Sequence, residues 1–160
     1  MTENRLVAYV TNSNGLIVPS TEILEAVQCL KEGGSVSVLP VCNDMAPCVR
    51  GGVMSLKLTP FNKFSLGMIV LAESNCGLVL HRIMDIDGES IMLMADASTF
   101  AQEYCKAEDI IGVGVEMQNI LTGRTKRIST AFLWRKLLPF RQYLLRLYDL
   151  FHPDQPVPYL

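Results

Sequence analysis

Between Ser20 and Gly34 the apolar residues Ile23, Leu24, Val27 and Leu30 recur at helical spacing, with Ser20 placed to cap the run and Glu22 in its first turn. The pair Gly33-Gly34 ends it, so the pattern predicts a helix that packs one face on a core. The pattern then changes to short segments rich in β-branched residues, at 35–41, 53–58, 66–72, 78–83, 90–94 and 110–117. These read as strands. Ser74-Asn75-Cys76-Gly77 and Asp87-Gly88 are hairpin signals between them, the second of the two-residue type that needs positive φ. A coiled, mostly antiparallel sheet follows. From Ser129 to Phe151 helical spacing returns. Phe132, Leu133, Leu137, Phe140, Leu144, Leu147 and Tyr148 fall broadly on one side, and Arg135, Lys136, Arg141 and Arg146 supply the other. Pro139 interrupts this stretch and predicts a kink or two short helices. The Pro-rich tail 152–160 cannot continue a helix and is expected to be extended.

Composition narrows the class. With 160 residues, 49% of them hydrophobic and 19% charged, the chain suits one folded domain, 1–160. No apolar run reaches the ~18 residues of a membrane-spanning helix, and Met1 to Arg5 shows no basic stretch leading into an apolar core. The expectation is a cytoplasmic chain without a transmembrane segment, at most peripheral at the inner membrane. Cys29, Cys42, Cys48, Cys76 and Cys105 are odd in number and include no C-x-x-C pair, which fits neither a disulfide framework nor a structural zinc site. Free thiols in a reducing compartment are the simpler reading, and no cofactor or metal is implied. The net charge of −2 divides unevenly at Gly123: residues 1–123 carry 7 Lys+Arg against 14 Asp+Glu, and residues 124–160 carry 7 against 2, so −7 and +5. The basic segment 129–151 therefore has three candidate roles: packing on the sheet, lying on an anionic membrane surface, or meeting a partner protein. Nucleic acid is a poor fit, since the chain has no helix-turn-helix or zinc-finger pattern.

The candidate chemistry lies in three segments: Val41-Cys42-Asn43-Asp44-Met45-Ala46-Pro47, Gly67-Met68-Ile69-Val70 and Leu80-His81-Arg82-Ile83. In order and spacing they resemble the signal peptidase I and LexA-type serine peptidases, whose signature is Ser-Met-x-Pro, then Gly-Asp-Ile-Val, then a Lys-Arg or His-Arg pair. The likeness runs from about Gly33 to Met117 and takes in Gly51-Gly52-Val53 and Asp109-Ile110-Ile111-Gly112-Val113. The segment from Leu133 to Leu145 resembles the end of a soluble subgroup frequent in Bacteroides-like bacteria. The resemblance implies a mainly β (α+β) fold of the signal peptidase/LexA type with a peptidase-like β core at 33–118, a helix before it and an amphipathic helical segment after it. It places Asp44 at the nucleophile, His81 at the base and Asp96 at the acid. Met45, Pro47 and Arg82 fall where the family meets a peptide, which it binds as an added strand.

Departures from the family pattern cluster at that site. Asp44 replaces the serine, Cys42 the glycine two residues before it, Met68 the aspartate of Gly-Asp-Ile-Val, and Ala95-Asp96-Ala97 the Gly-Asp-Asn segment. A carboxylate is a poor substitute for the hydroxyl, because its attack on an amide gives an anhydride that reverses readily. The first expectation is therefore a peptidase-fold chain without peptidase activity that binds an extended peptide or partner protein in the ancestral cleft. The alternative is an active endopeptidase using Cys42 or Cys48, or an Asp44/His81/Asp96 site. The trio also suits zinc or iron in principle, and the plainest reading of Asp44 and His81 is an ion pair with each other.

Overall fold

The computed structural model of the protein describes residues 5–60 and 63–153. In chain order the elements are β1 (Leu6–Tyr9), α1 (Thr21–Lys31), β2 (Val36–Pro40), β3 (Met54–Pro60), β4 (Ile69–Glu73), β5 (Leu78–Asp87), β6 (Ser90–Met94), β7 (Glu103–Cys105), β8 (Ile110–Asn119), β9 (Thr125–Arg127), α2 (Phe132–Lys136) and α3 (Arg141–Phe151). The strands form one sheet in the order β1-β2-β3-β8-β4-β5-β6-β7, with β9 added to β8. β1 and β2 run parallel, and every other neighbouring pair is antiparallel. The protein is mainly β, its sheet curled into a half-barrel and accompanied by three helices.

Helix α1 forms as its sequence dictates. The Ser20 hydroxyl accepts from the Ile23 amide at 3.2 Å, and Ile23, Ala26 and Leu30 are buried on its inner face. They join Val36, Val38, Leu56, Leu58, Ile69, Leu71 and Leu80 in one core. A second core, on the other face of the sheet, gathers Val70, Val79, Ile83, Ile91, Leu93 and Val113. Alternation along β5 sends Leu80 to the first core and Val79 and Ile83 to the second. In β8 the alternation reverses at a bulge. Lys57 pairs with Glu116 and Leu58 with Gly114, which leaves Val115 as the extra residue, so Val113 reaches the second core and Met117 the first.

Both hairpins form, the second one residue later than expected, because Asp87 pairs with Ser90 and leaves Gly88 and Glu89 as its turn. The Ser74 hydroxyl accepts from the Cys76 and Gly77 amides between β4 and β5, and Gly88 takes φ 59° between β5 and β6. The C-terminal stretch breaks where Pro139 predicts, with a 3-10 turn at Leu138–Phe140 between α2 and α3. One expectation there needs correcting. Helical spacing puts Arg141 on the polar face and Leu147 on the packed one, yet Arg141 is fully buried with Leu145 while Leu147 is half exposed. The tail beyond Pro153 lies outside the described residues.

Candidate functional site

The site is built where the turn Cys42–Val49, strand β5 and the loop Ala95–Ser98 converge. The Ala97 amide donates to the Asp44 carbonyl at 2.9 Å, and the Asp96 amide contacts the Met45 sulfur at 3.4 Å, so loop and turn are joined through their backbones. Ala46 and Ala97 are both fully buried against Leu145 of α3. Residues this small allow the close approach. The Ala46-Pro47 peptide bond is cis.

Arg82 organises this junction. Its Nε and Nη2 donate to the two carboxylate oxygens of Asp96 at 2.8 Å each, and its Nη1 donates to the carbonyls of Gly67 and Ser129 at 2.7 Å each. The pair is almost completely removed from water, with Arg82 1% and Asp96 0% exposed. Burial works against the guanidinium charge, but the bonds to Asp96 outweigh it and the Arg82 pKa is raised. Gly67 makes the reach to Ser129 possible. At φ 88° it carries no side chain where a Cβ would stand 2.6 Å from the Thr130 carbonyl oxygen.

His81, the next residue, faces the other way. Adjacent residues of a strand point to opposite sides, so once Arg82 turns toward the turn and loop, His81 turns to the second core beside Val79 and Ile83. There its Nδ1 shares a hydrogen bond of 2.9 Å with Oε2 of Glu103 on β7, both side chains buried. The expected Asp44–His81 ion pair is therefore not formed, because strand β7 supplies a carboxylate on the face that His81 occupies. The Asp44 carboxylate accepts from the Thr11 hydroxyl instead. It also lies close enough to Tyr9 that its charge adds to burial in holding that phenol well above its ordinary pKa.

The three positions that the resemblance assigns to nucleophile, base and acid thus bond to three different partners: Asp44 to Thr11, His81 to Glu103, and Asp96 to Arg82. Among the described residues no group of three His, Cys, Asp or Glu side chains is arranged to hold a metal. Of the residues expected to meet a peptide, Pro47 is exposed, whereas Met45 is 2% and Arg82 1% exposed. Cys48 is partly buried against Asp96 and Arg82. Burial, and then the Asp96 charge, push its thiol up to about 12, which keeps it protonated and a poor nucleophile at neutral pH.

Thr11 and Glu103 had no signal in the sequence. Each is an isolated polar residue whose partner is many positions away, and β7 is too short to show a pattern. Trp134 and Arg141 were legible as an aromatic and a cation in the C-terminal stretch, but not as part of the site. Trp134 Nε1 donates to the Asp96 carbonyl at 3.0 Å, and the Arg141 guanidinium lies 5.1 Å from the Trp134 ring centre while donating to the carbonyls of Ser98 and Trp134. The C-terminal helices are thereby fixed onto the Ala95–Ser98 loop.

Beside this junction opens a cavity of about 710 Å³. Val49, Ile69, Met117 and Ile128 form apolar walls, Pro47 and Cys48 lie along one side, and Lys126 and Arg127 of β9 supply cations. Among the described residues β9 pairs only with β8, which leaves its other edge available to a further strand. No protein-family model matches the chain, and no curated protein matches it.

Proposed function

We propose that this chain is a homologue of the signal peptidase and LexA-type serine peptidases that carries out no peptide hydrolysis and binds an extended segment of a peptide or partner protein in the cleft beside Pro47. The observation that carries the reading is the bonding of Asp44. A buried carboxylate, held by the Thr11 hydroxyl, occupies the position where the resemblance puts the nucleophile, while the imidazole assigned as base is bonded to Glu103. Neither group activates a hydroxyl or thiol in this arrangement. The protonated Cys48 thiol supports the same conclusion.

Binding without cleavage needs only the cleft. Its apolar walls suit alternate side chains of an extended peptide, the edge of β9 suits backbone pairing, and Lys126 and Arg127 favour acidic residues in the bound segment. The test is to pan the purified chain against a random peptide library and to follow the selected peptides by calorimetry and mass spectrometry. Intact peptides bound by the wild type, and binding lost in Ile128→Glu at the cleft wall, are the expected results. Cleavage by the wild type that Asp44→Ala abolishes would overturn the reading.

A further inference from the structure

Helix α3 is turned with its chemistry reversed. Arg141, Leu145 and Tyr148 form the stripe that packs inward, at spacings of four and three residues, and the stripe opposite them is Tyr143, Leu147 and Leu150. Those three are 68%, 51% and 77% exposed. Phe151, the next residue of the helix, is 73% exposed, and Phe140, just before the helix, is 60% exposed. An isolated exposed leucine needs no explanation, but a continuous aromatic and aliphatic face does. Its length is modest, and no helix among the described residues is long and apolar enough to cross a membrane.

The charge of the segment that bears this face favours an anionic surface as its partner. In the segment that bears this face, 133–153, the only acid is Asp149, which is half-buried, while Lys136 and Arg146 are exposed. Lys136 and Arg135 lie 5.6 and 5.9 Å from the centre of the Phe132 ring, so cation and aromatic are presented together. We infer that α2 and α3 dock on an anionic lipid surface, with Tyr143, Leu147, Leu150 and Phe151 entering the headgroup–acyl boundary and Lys136 and Arg146 meeting lipid phosphates. Aromatic rings, leucines and flanking Lys and Arg are the combination that binds at such an interface, where the long cationic side chains reach the headgroups. Docking through this stripe leaves Arg141 buried, since Arg141 lies on the opposite side of α3.

Flotation of the full chain with phosphatidylcholine vesicles, alone or mixed with phosphatidylglycerol, tests the inference. The chain is expected to float with the mixed vesicles, to be released as salt is raised, and to stay behind with the neutral ones. Lys136→Gln and Arg146→Gln should each weaken the partition by about fivefold, and Leu147→Ser and Leu150→Ser by about tenfold each. All four positions are exposed, so unchanged circular dichroism and melting should accompany the loss. Equal partition to neutral vesicles, or none to either kind, would overturn it. So would sedimentation velocity showing a dimer, or a complex with an acidic protein, that Leu150→Ser dissolves while leaving flotation intact.

Discussion

Two arginines are buried within one neighbourhood, and their charges are held differently. Arg82, from β5, has a carboxylate as counterion and two carbonyls besides; Arg141, from α3, has carbonyls and the face of Trp134, and its Nε has no hydrogen-bond partner. Burial acts against both. It is outweighed at Arg82 by Asp96, whereas at Arg141 it prevails and the pKa is lowered. The loop Ala95–Ser98 thus presents its one carboxylate to the sheet and its spare carbonyls to the C-terminal helices. The sheet side of the junction is an ion pair on which the turn is built, and the helix side is an attachment to it.

The largest effect is expected at Arg82. Arg82→Met leaves the Asp96 carboxylate buried without its counterion and should cost about 3–5 kcal/mol in denaturant unfolding. Asp96→Ala should cost as much, for the converse reason. A loss below about 1 kcal/mol from either would mean that the pair is not the foundation of the junction.

Asp44 and Thr11 form a smaller contact on the same turn. A double-mutant cycle with Thr11→Ala and Asp44→Ala should show a coupling of about 1.5–3 kcal/mol, the range for a hydrogen bond to a buried charge. Independent effects would place the Asp44 carboxylate with another partner.

Arg141→Met should cost only about 1 kcal/mol. It frees the carbonyls of Ser98 and Trp134 from their donor, and it also removes the unpartnered Nε. If it matched Arg82→Met, the two arginines would be equivalent and the distinction would fail.

The last effect is absent at neutral pH and concerns the thiols. Cys48 beside the two arginines is pushed up to about 12 and Cys105 in the second core to about 11, from an ordinary 9.0, in each case first by burial. Unfolded thiols release their protons near pH 9 while the folded ones keep theirs, so above that pH the folded state binds more protons and stability falls, levelling off near pH 12. Below pH 9 both states are protonated and the thiols contribute no slope. Cys48→Ala should lessen the fall from its onset near pH 9 and remove what lies above pH 11, and Cys105→Ala should lessen it only between about pH 9 and 11. An unchanged alkaline slope in both variants would count against burial of these groups.

Much of the framework was legible. Helix α1 announces itself by the Ser20 cap and by Ile23, Val27 and Leu30, although Leu24, expected with them, is 61% exposed and Ala26 takes the inner face instead, and the six longer strands announce themselves by their β-branched runs. The three missed strands are short. β1 is a four-residue apolar segment that gains its partner only through parallel pairing with β2, and β7 and β9 have three residues each, with β9 exposed throughout. None contains enough residues to show a period. Of the site, the segments Asp44–Pro47, His81-Arg82 and Asp96 stood out, and the structure brings turn, strand and loop together. It does not join Asp44 with His81, and it adds Thr11, Glu103, Trp134 and Arg141.

The local elements, the hairpin turns and the break at Pro139 can be read along the chain, because each depends on neighbours a few residues apart. Tertiary structure decided which face each side chain occupies. Whether His81 or Arg82 turns toward the Asp44 segment is a matter of strand parity, and it is settled by where Asp96 and Glu103 arrive from elsewhere in the sheet. Helix α3 shows the same rule in reverse. Hydrophobicity alone would bury Leu147 and expose Arg141, but the carbonyls of the Ala95–Ser98 loop and the Trp134 ring draw the arginine inward, and the leucines are left facing out.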